Sequence, residues 1–111
     1  MPRPVKTLIV KPDGSYEEKT LTSLGDFQKA VEGYLEALWF NDYMIYVNEE
    51  GLLKRLAPNV LSEYISIPIV GNAVIVGRGT SVPRDVPETI KQAIIDFLDN
   101  LSKESDVPVS H

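Results

Sequence analysis

Val5-Lys6-Thr7-Leu8-Ile9-Val10-Lys11-Pro12-Asp13-Gly14-Ser15-Tyr16-Glu17-Glu18-Lys19-Thr20-Leu21 is the stretch that decides the fold class. Its first part is apolar and β-branched, a composition that packs well on a pleated surface. Pro12 stops the run. Pro12-Asp13-Gly14-Ser15 is a turn, because proline presets φ and glycine supplies a left-handed position. Tyr16 to Leu21 then alternates loosely between polar and apolar residues, so the whole stretch reads as a β-hairpin.

Directly after it, Ser23 opens a helix: its hydroxyl can accept from the amide three residues on, and the Asp26 carboxylate suits the positive end of the helix dipole. Leu24, Phe27, Ala30 and Val31 form one apolar stripe, and Gly33 fits the left-handed position that ends a helix. Tyr34 to Phe40 could continue that helix, since Leu35, Leu38 and Trp39 keep its spacing. Gly33, the aromatic content and the Asn41-Asp42 turn favour a strand instead, paired in a second hairpin with Tyr43 to Val47. Asn48-Glu49-Glu50-Gly51 is a turn, and Leu52 to Leu56 a short strand or extended arm. Pro58 breaks the chain, and Asn59 caps a short helical turn through Tyr64. Ile65 to Val70 carries Pro68, which confines it to an edge strand or loop. Asn72 to Val76 is a core strand that ends at Gly77-Arg78-Gly79.

The last element is an amphipathic helix of about five turns. Asp85 and Glu88 make a capping box, Pro87 sits in the first turn, and Val86, Ile90, Ile94, Phe97, Leu98 and Leu101 recur every three or four residues. The expected architecture is an α+β fold. A curved, mainly antiparallel sheet of five or six strands carries one short helix and one long C-terminal amphipathic helix. Residues 1–103 form a single domain and 104–111 a flexible C-terminal tail. The long helix packs on its own sheet or on a second subunit, so a homodimer is one expectation.

With 111 residues, 43% of them hydrophobic and 24% charged, the chain suits one globular domain with its own core. It has no cysteine, which removes disulfides, thiolate nucleophiles and Cys-based zinc sites, and fits a reducing compartment. No apolar run approaches the length of a membrane helix, and Leu8-Ile9-Val10 is too short for a signal-peptide core. These readings place the protein in the cytoplasm, with no membrane partner. A net charge of −5 speaks against nucleic acid, whose phosphates need a basic surface. Such acidity either faces a basic partner or simply keeps a small protein soluble.

Catalytic chemistry finds little support. The single histidine is His111, the last residue, a poor place to hold a general base in position. No catalytic residue, metal site or cofactor is expected. Glu17-Glu18 does not converge on a strand, whereas Glu49-Glu50 lies in a turn and could hold a hard cation with other oxygens. Gly77-Arg78-Gly79-Thr80 lacks the lysine and following helix of a phosphate loop. It either turns the chain or presents amides and a guanidinium to an anion. Tyr34, Trp39, Phe40, Tyr43 and Tyr46 crowd together. Alternation puts Tyr34 and Phe40 on one face and Trp39 on the other, one face for the core and one for a stacked base or a protein contact.

Five segments resemble a family of uncharacterised proteins common in bacteriophages and mobile elements, named only as a domain of unknown function. They are Lys6-Thr7-Leu8-Ile9-Val10, Val31-Glu32-Gly33-Tyr34-Leu35-Glu36, Val47-Asn48-Glu49-Glu50-Gly51, Leu56-Ala57-Pro58-Asn59 and Ile69-Val70-Gly71-Asn72-Ala73-Val74-Ile75-Val76-Gly77. The resemblance spans roughly residues 5 to 79, and the terminal helix lies outside its best-matched part. It implies a phage or prophage accessory protein acting inside a bacterial cell, and it draws interest to Asn48, Glu49 and Asn59.

Three functions are expected in order. The first is a non-enzymatic protein that binds and modulates a host or defence factor. The second is a small-ligand, nucleotide-like binder that uses Arg78 for the anion, Tyr34 or Tyr43 for stacking, and Asn48 and Asn59 for polar readout. The third is a metal-assisted enzyme using Glu49 or Glu50.

Overall fold

A computed structural model describes residues 3–106, the side chains of 104–106 excepted. Five strands form one antiparallel sheet: β1 (Val5–Val10), β2 (Tyr16–Leu21), β3 (Leu35–Trp39), β4 (Tyr43–Asn48) and β5 (Ala73–Gly77). Their order is β2-β1-β5-β4-β3. Each hairpin therefore contributes one inner and one outer strand, and β5 slots between β1 and β4. Ile75 is the shared rung of that insertion, opposite Leu8 on one side and Ile45 on the other. All five residues of β5 are buried, so Ala73-Val74-Ile75-Val76 is an uninterrupted apolar run rather than an alternating one. The fold is α+β, as the sequence implies.

Helices cover both faces of the sheet. Period-two alternation sends Leu8, Val10, Ile45, Val47 and Ile75 to one face, where Leu61, Ile94 and Leu98 complete the core. Leu61 comes from α2 (Leu61–Ile65), and the other two come from α3 (Glu88–Asp106). The opposite face sends Val5, Ile9, Met44, Val74 and Val76 against Phe27 and Val31 of α1 (Leu24–Val31). Each such side chain stabilises the fold by about 1.5–3 kcal/mol on leaving water.

Several local readings change. Leu52 to Leu56 is not a strand. Backbone bonds from Lys54 N to Glu50 O, Arg55 N to Leu52 O and Leu56 N to Gly51 O curl it into successive turns. Ile65 closes α2, and residues 66–70 form a loop, one of the two forms expected, joined to the Pro58–Asn59 segment by the bridge Pro58–Val70 and the bond Asn59 N to Ile69 O. Gly33 is not the left-handed end of α1; Glu32 is, at φ 65°. The bonds Glu32 N to Lys29 O and Gly33 N to Gln28 O then close the helix end. Gly33 is needed for room instead, since a Cβ there would come within 2.6 Å of Asn48 Nδ2. The capping box at the start of α3 is also absent. Asp85 Oδ1 accepts from Lys6 N at 2.9 Å and Val86 N donates to Lys6 O, so this segment extends the edge of β1 instead of capping a helix. At α1 the box is present, with Asp26 N donating to Ser23 Oγ and Ser23 N to Asp26 Oδ2. The helix α3 runs three residues into the segment expected as a tail, and residues 107–111, including His111, lie outside the described residues.

Candidate functional site

Three exposed apolar side chains meet beside the outer strand β3: Leu52 and Leu53, which are 81% and 82% exposed, and Ile67. Between β3 and the Ile67–Val70 loop runs a groove of about 590 Å³ with Leu38, Val47 and Ile69 in its lining and the two leucines at its rim. Its charged lining residues are Glu36 and Glu49. Exposed apolar side chains with polar residues at the rim are a common mark of a contact site.

Asn48 ties the turn before Leu52 to the end of α1. This side chain is 4% exposed. Its Nδ2 donates to Val31 O and Glu32 O, both at 3.1 Å, and its Oδ1 accepts from Glu50 N at 2.8 Å. Both amide hydrogens and the oxygen are thus committed to the end of α1 and to the turn that presents Leu52 and Leu53. Asn59 repeats the scheme elsewhere, at 3% exposure. Its Nδ2 donates to Val10 O and Gly71 O, and Leu61 N donates to its Oδ1 at 2.8 Å. Each oxygen serves the amide two residues on, a local turn that asparagine favours.

Other residues singled out in the sequence lie apart. Glu49 is exposed on the groove wall. Tyr34 is exposed one residue before β3. Tyr43 is half-buried and stacks on Phe40 with ring centres 4.6 Å apart, and burial pushes its hydroxyl above the usual tyrosine value. Arg78 lies at the Tyr43 end of β4 and Asn48 at the other, roughly 17 Å away by the rise of five strand residues. Its guanidinium donates to Phe40 O at 2.9 Å and sits 5.3 Å from the centre of the Trp39 ring. The glycines beside it are needed for close packing: a Cβ at Gly77 would meet the Asp85 carbonyl, and one at Gly79 the Val82 carbonyl. The structure therefore brings Asn48 and Glu49 together at the groove and leaves Asn59, Arg78 and Tyr43 elsewhere.

Sequence reasoning missed Leu52 and Leu53. The available signal was two adjacent leucines in a segment dense with turn and charged residues, Asn48-Glu49-Glu50-Gly51 before and Lys54-Arg55 after. Among the described residues no three His, Cys, Asp or Glu side chains are placed to share a metal ion. No helix there is long and apolar enough to cross a membrane.

No curated protein and no solved structure matches the chain. A family model does match, from residue 5 to residue 98, a stretch that holds the entire sheet, α1, α2 and the first half of α3. The chain belongs to the family described as Domain of unknown function (DUF3846).

Proposed function

We propose that this chain is a non-catalytic accessory protein that acts by binding another protein at the Leu52–Leu53 corner. The partner segment carries apolar side chains for the groove and basic groups for Glu36 and Glu49. The single observation behind this reading is that two leucines, each more than four-fifths exposed, stand on a turn that a buried asparagine ties to the end of α1, with one hydrogen bond to the turn and two to the helix end. Ordered apolar groups lose little entropy on binding, which is how preorganised surfaces gain affinity. The net charge of −5 favours the same basic partner. With the mobile-element character implied by the sequence resemblance, that partner is a host or defence factor in the bacterial cytoplasm.

The test compares wild type with the double variant Leu52→Glu, Leu53→Glu as baits in host lysate. One protein retained by wild type and lost by a folded double variant is the expected result. Identical retention by both baits, or nothing retained by either, would sink the reading.

A further inference from the structure

The outer edge of β3 carries a second kind of information, independent of the groove. Phe40 N donates to Tyr43 O, and Glu49 N donates to Tyr34 O. Both pairs share the β3–β4 register, in which Leu38 faces Ile45 and Glu36 faces Val47. Even-numbered residues of this strand therefore turn their backbone groups inward to β4. By the alternation of antiparallel ladders, Leu35, Ala37 and Trp39 turn theirs outward. Among the described residues, none of the six outward N–H and C=O groups of these three residues appears in a loop or cap hydrogen bond.

The two outer edges of the sheet differ in chemistry. On β2 lie Glu17, Glu18 and Lys19, and Glu18 is paired to Lys91 at 2.7 Å. Charges of this kind blunt an edge against pairing. On β3 the sequence is Leu-Glu-Ala-Leu-Trp, with Glu36 as its one charged residue.

We propose that β3 is the seam of a homodimer, two copies pairing antiparallel about a twofold axis through Ala37 to make one continuous ten-stranded sheet. The register follows from the outward groups. Ala37 faces its own copy, and Leu35 faces Trp39 in both directions, each pair exchanging both backbone bonds. Glu36 then faces Leu38, so the two acids are never directly opposite, where like charges would destabilise the pair. On the α1 face the arrangement sets each Trp39 beside the other copy's Leu35. That leucine walls an apolar groove of about 310 Å³ with Phe27, Tyr46 and Leu24. The indole thus gains an apolar neighbour in place of water, and the contact is self-complementary, as a twofold interface requires.

Sedimentation of the full chain from micromolar to millimolar concentration tests this, with the emission of Trp39, the chain's one tryptophan, as a second readout. The expected result is a dimer whose formation shifts that emission to the blue. Ala37→Pro removes an outward N–H that β4 does not use, a substitution edge strands tolerate. It should leave the circular dichroism unchanged and the protein monomeric. Because the chain has no cysteine, Ala37→Cys supplies an independent measure. Facing residues of a hydrogen-bonded pair lie about 5.5 Å apart at Cα, within disulfide reach. This variant should cross-link under mild oxidation, whereas Thr20→Cys on the opposite edge should not. A wild type monomeric throughout, a dimer that survives Ala37→Pro, or equal cross-linking at both edges would each overturn the proposal. So would a wild type that is monomeric alone and whose β3 amides are protected from exchange only when a different protein is added.

Discussion

Asn48 Nδ2 donates to the carbonyl of Glu32 at 3.1 Å, and Glu32 is the residue that ends α1 in left-handed backbone, φ 65°. One side chain at the end of β4 thus fixes where the helix on one face stops. Through Oδ1 it also fixes the turn that carries Leu52 and Leu53. Asn48→Ala leaves the carbonyl of Val31 and the amide of Glu50 without these partners. Each buried group left unsatisfied costs about 1–3 kcal/mol, so the variant should lose about 3 kcal/mol. Urea unfolding measures the loss. Asn48→Asp should not rescue it, because a carboxylate cannot donate to the Val31 and Glu32 carbonyls. Amide exchange at Glu50, whose N–H donates to Asn48 Oδ1, should quicken in Asn48→Ala.

Glu32 and Gly33 should respond in opposite directions. Glu32→Gly relieves a left-handed side-chain conformation that costs an L-residue about 1–2 kcal/mol, partly offset by the greater freedom of glycine in the unfolded chain. A net gain of roughly 0.5–1 kcal/mol in thermal or urea unfolding is expected. Gly33→Ala should destabilise, since its Cβ would lie 2.6 Å from Asn48 Nδ2 and 3.2 Å from Lys54 Nζ. Stabilisation by Gly33→Ala would show that the helix end and the Asn48 clamp are not coupled.

The start of α1 should show in the acid limb of stability. Amide bonds from Thr22 and Ser23 hold the Asp26 carboxyl below its ordinary value of 3.8. A carboxyl lowered in the folded state stabilises fully above the unfolded value and loses that contribution as pH falls from 3.8 through the lower folded value. Asp26→Asn should therefore be less stable than wild type at neutral pH and fall away less steeply on acidification. Urea titrations at neutral pH and near pH 3 check both halves. Parallel curves for the two proteins would remove Asp26 from the acid response.

The hairpins and the amphipathic helix were legible because each rests on local rules. Pro12-Asp13-Gly14 allows one kind of turn, and Ile90, Ile94, Phe97 and Leu98 repeat at one period. The strand order was not legible. That β5 slips between β1 and β4 depends on pairings such as Ile9–Val74 and Tyr46–Val74, which no local window contains. The capping box at Asp85 misled for a similar reason: a nearby strand edge offered the amide of Lys6, and the carboxylate took it. Of the candidate site, Asn48 and Glu49 stood out as a motif, but the chemistry read into Asn48 and Asn59 was that of ligand contacts. Both amides are spent inside the fold, a fact visible only once Val31, Gly71 and Val10 are in place. The Leu52–Leu53 pair looked like strand because apolar residues usually mark the core.

That last ambiguity yields the sharpest contrast between core and surface leucines. Leu61 is fully buried within the cluster formed with Ile94 and Leu98. Leu61→Ala removes buried methyl groups and opens a cavity beneath α3, so it should cost about 2–5 kcal/mol. Leu53 exposes nearly its whole side chain and makes no comparable contacts. Leu53→Ala should therefore stay within about 0.5 kcal/mol of wild type, as surface substitutions do. If Leu53 serves the fold, the two variants will unfold at similarly lowered urea concentrations and partner capture will fail only in proportion to unfolding. If it serves binding, Leu53→Ala will unfold with wild type yet capture less partner. The reason is physical: a leucine that contributes nothing to its own fold keeps its apolar surface in water until something else covers it.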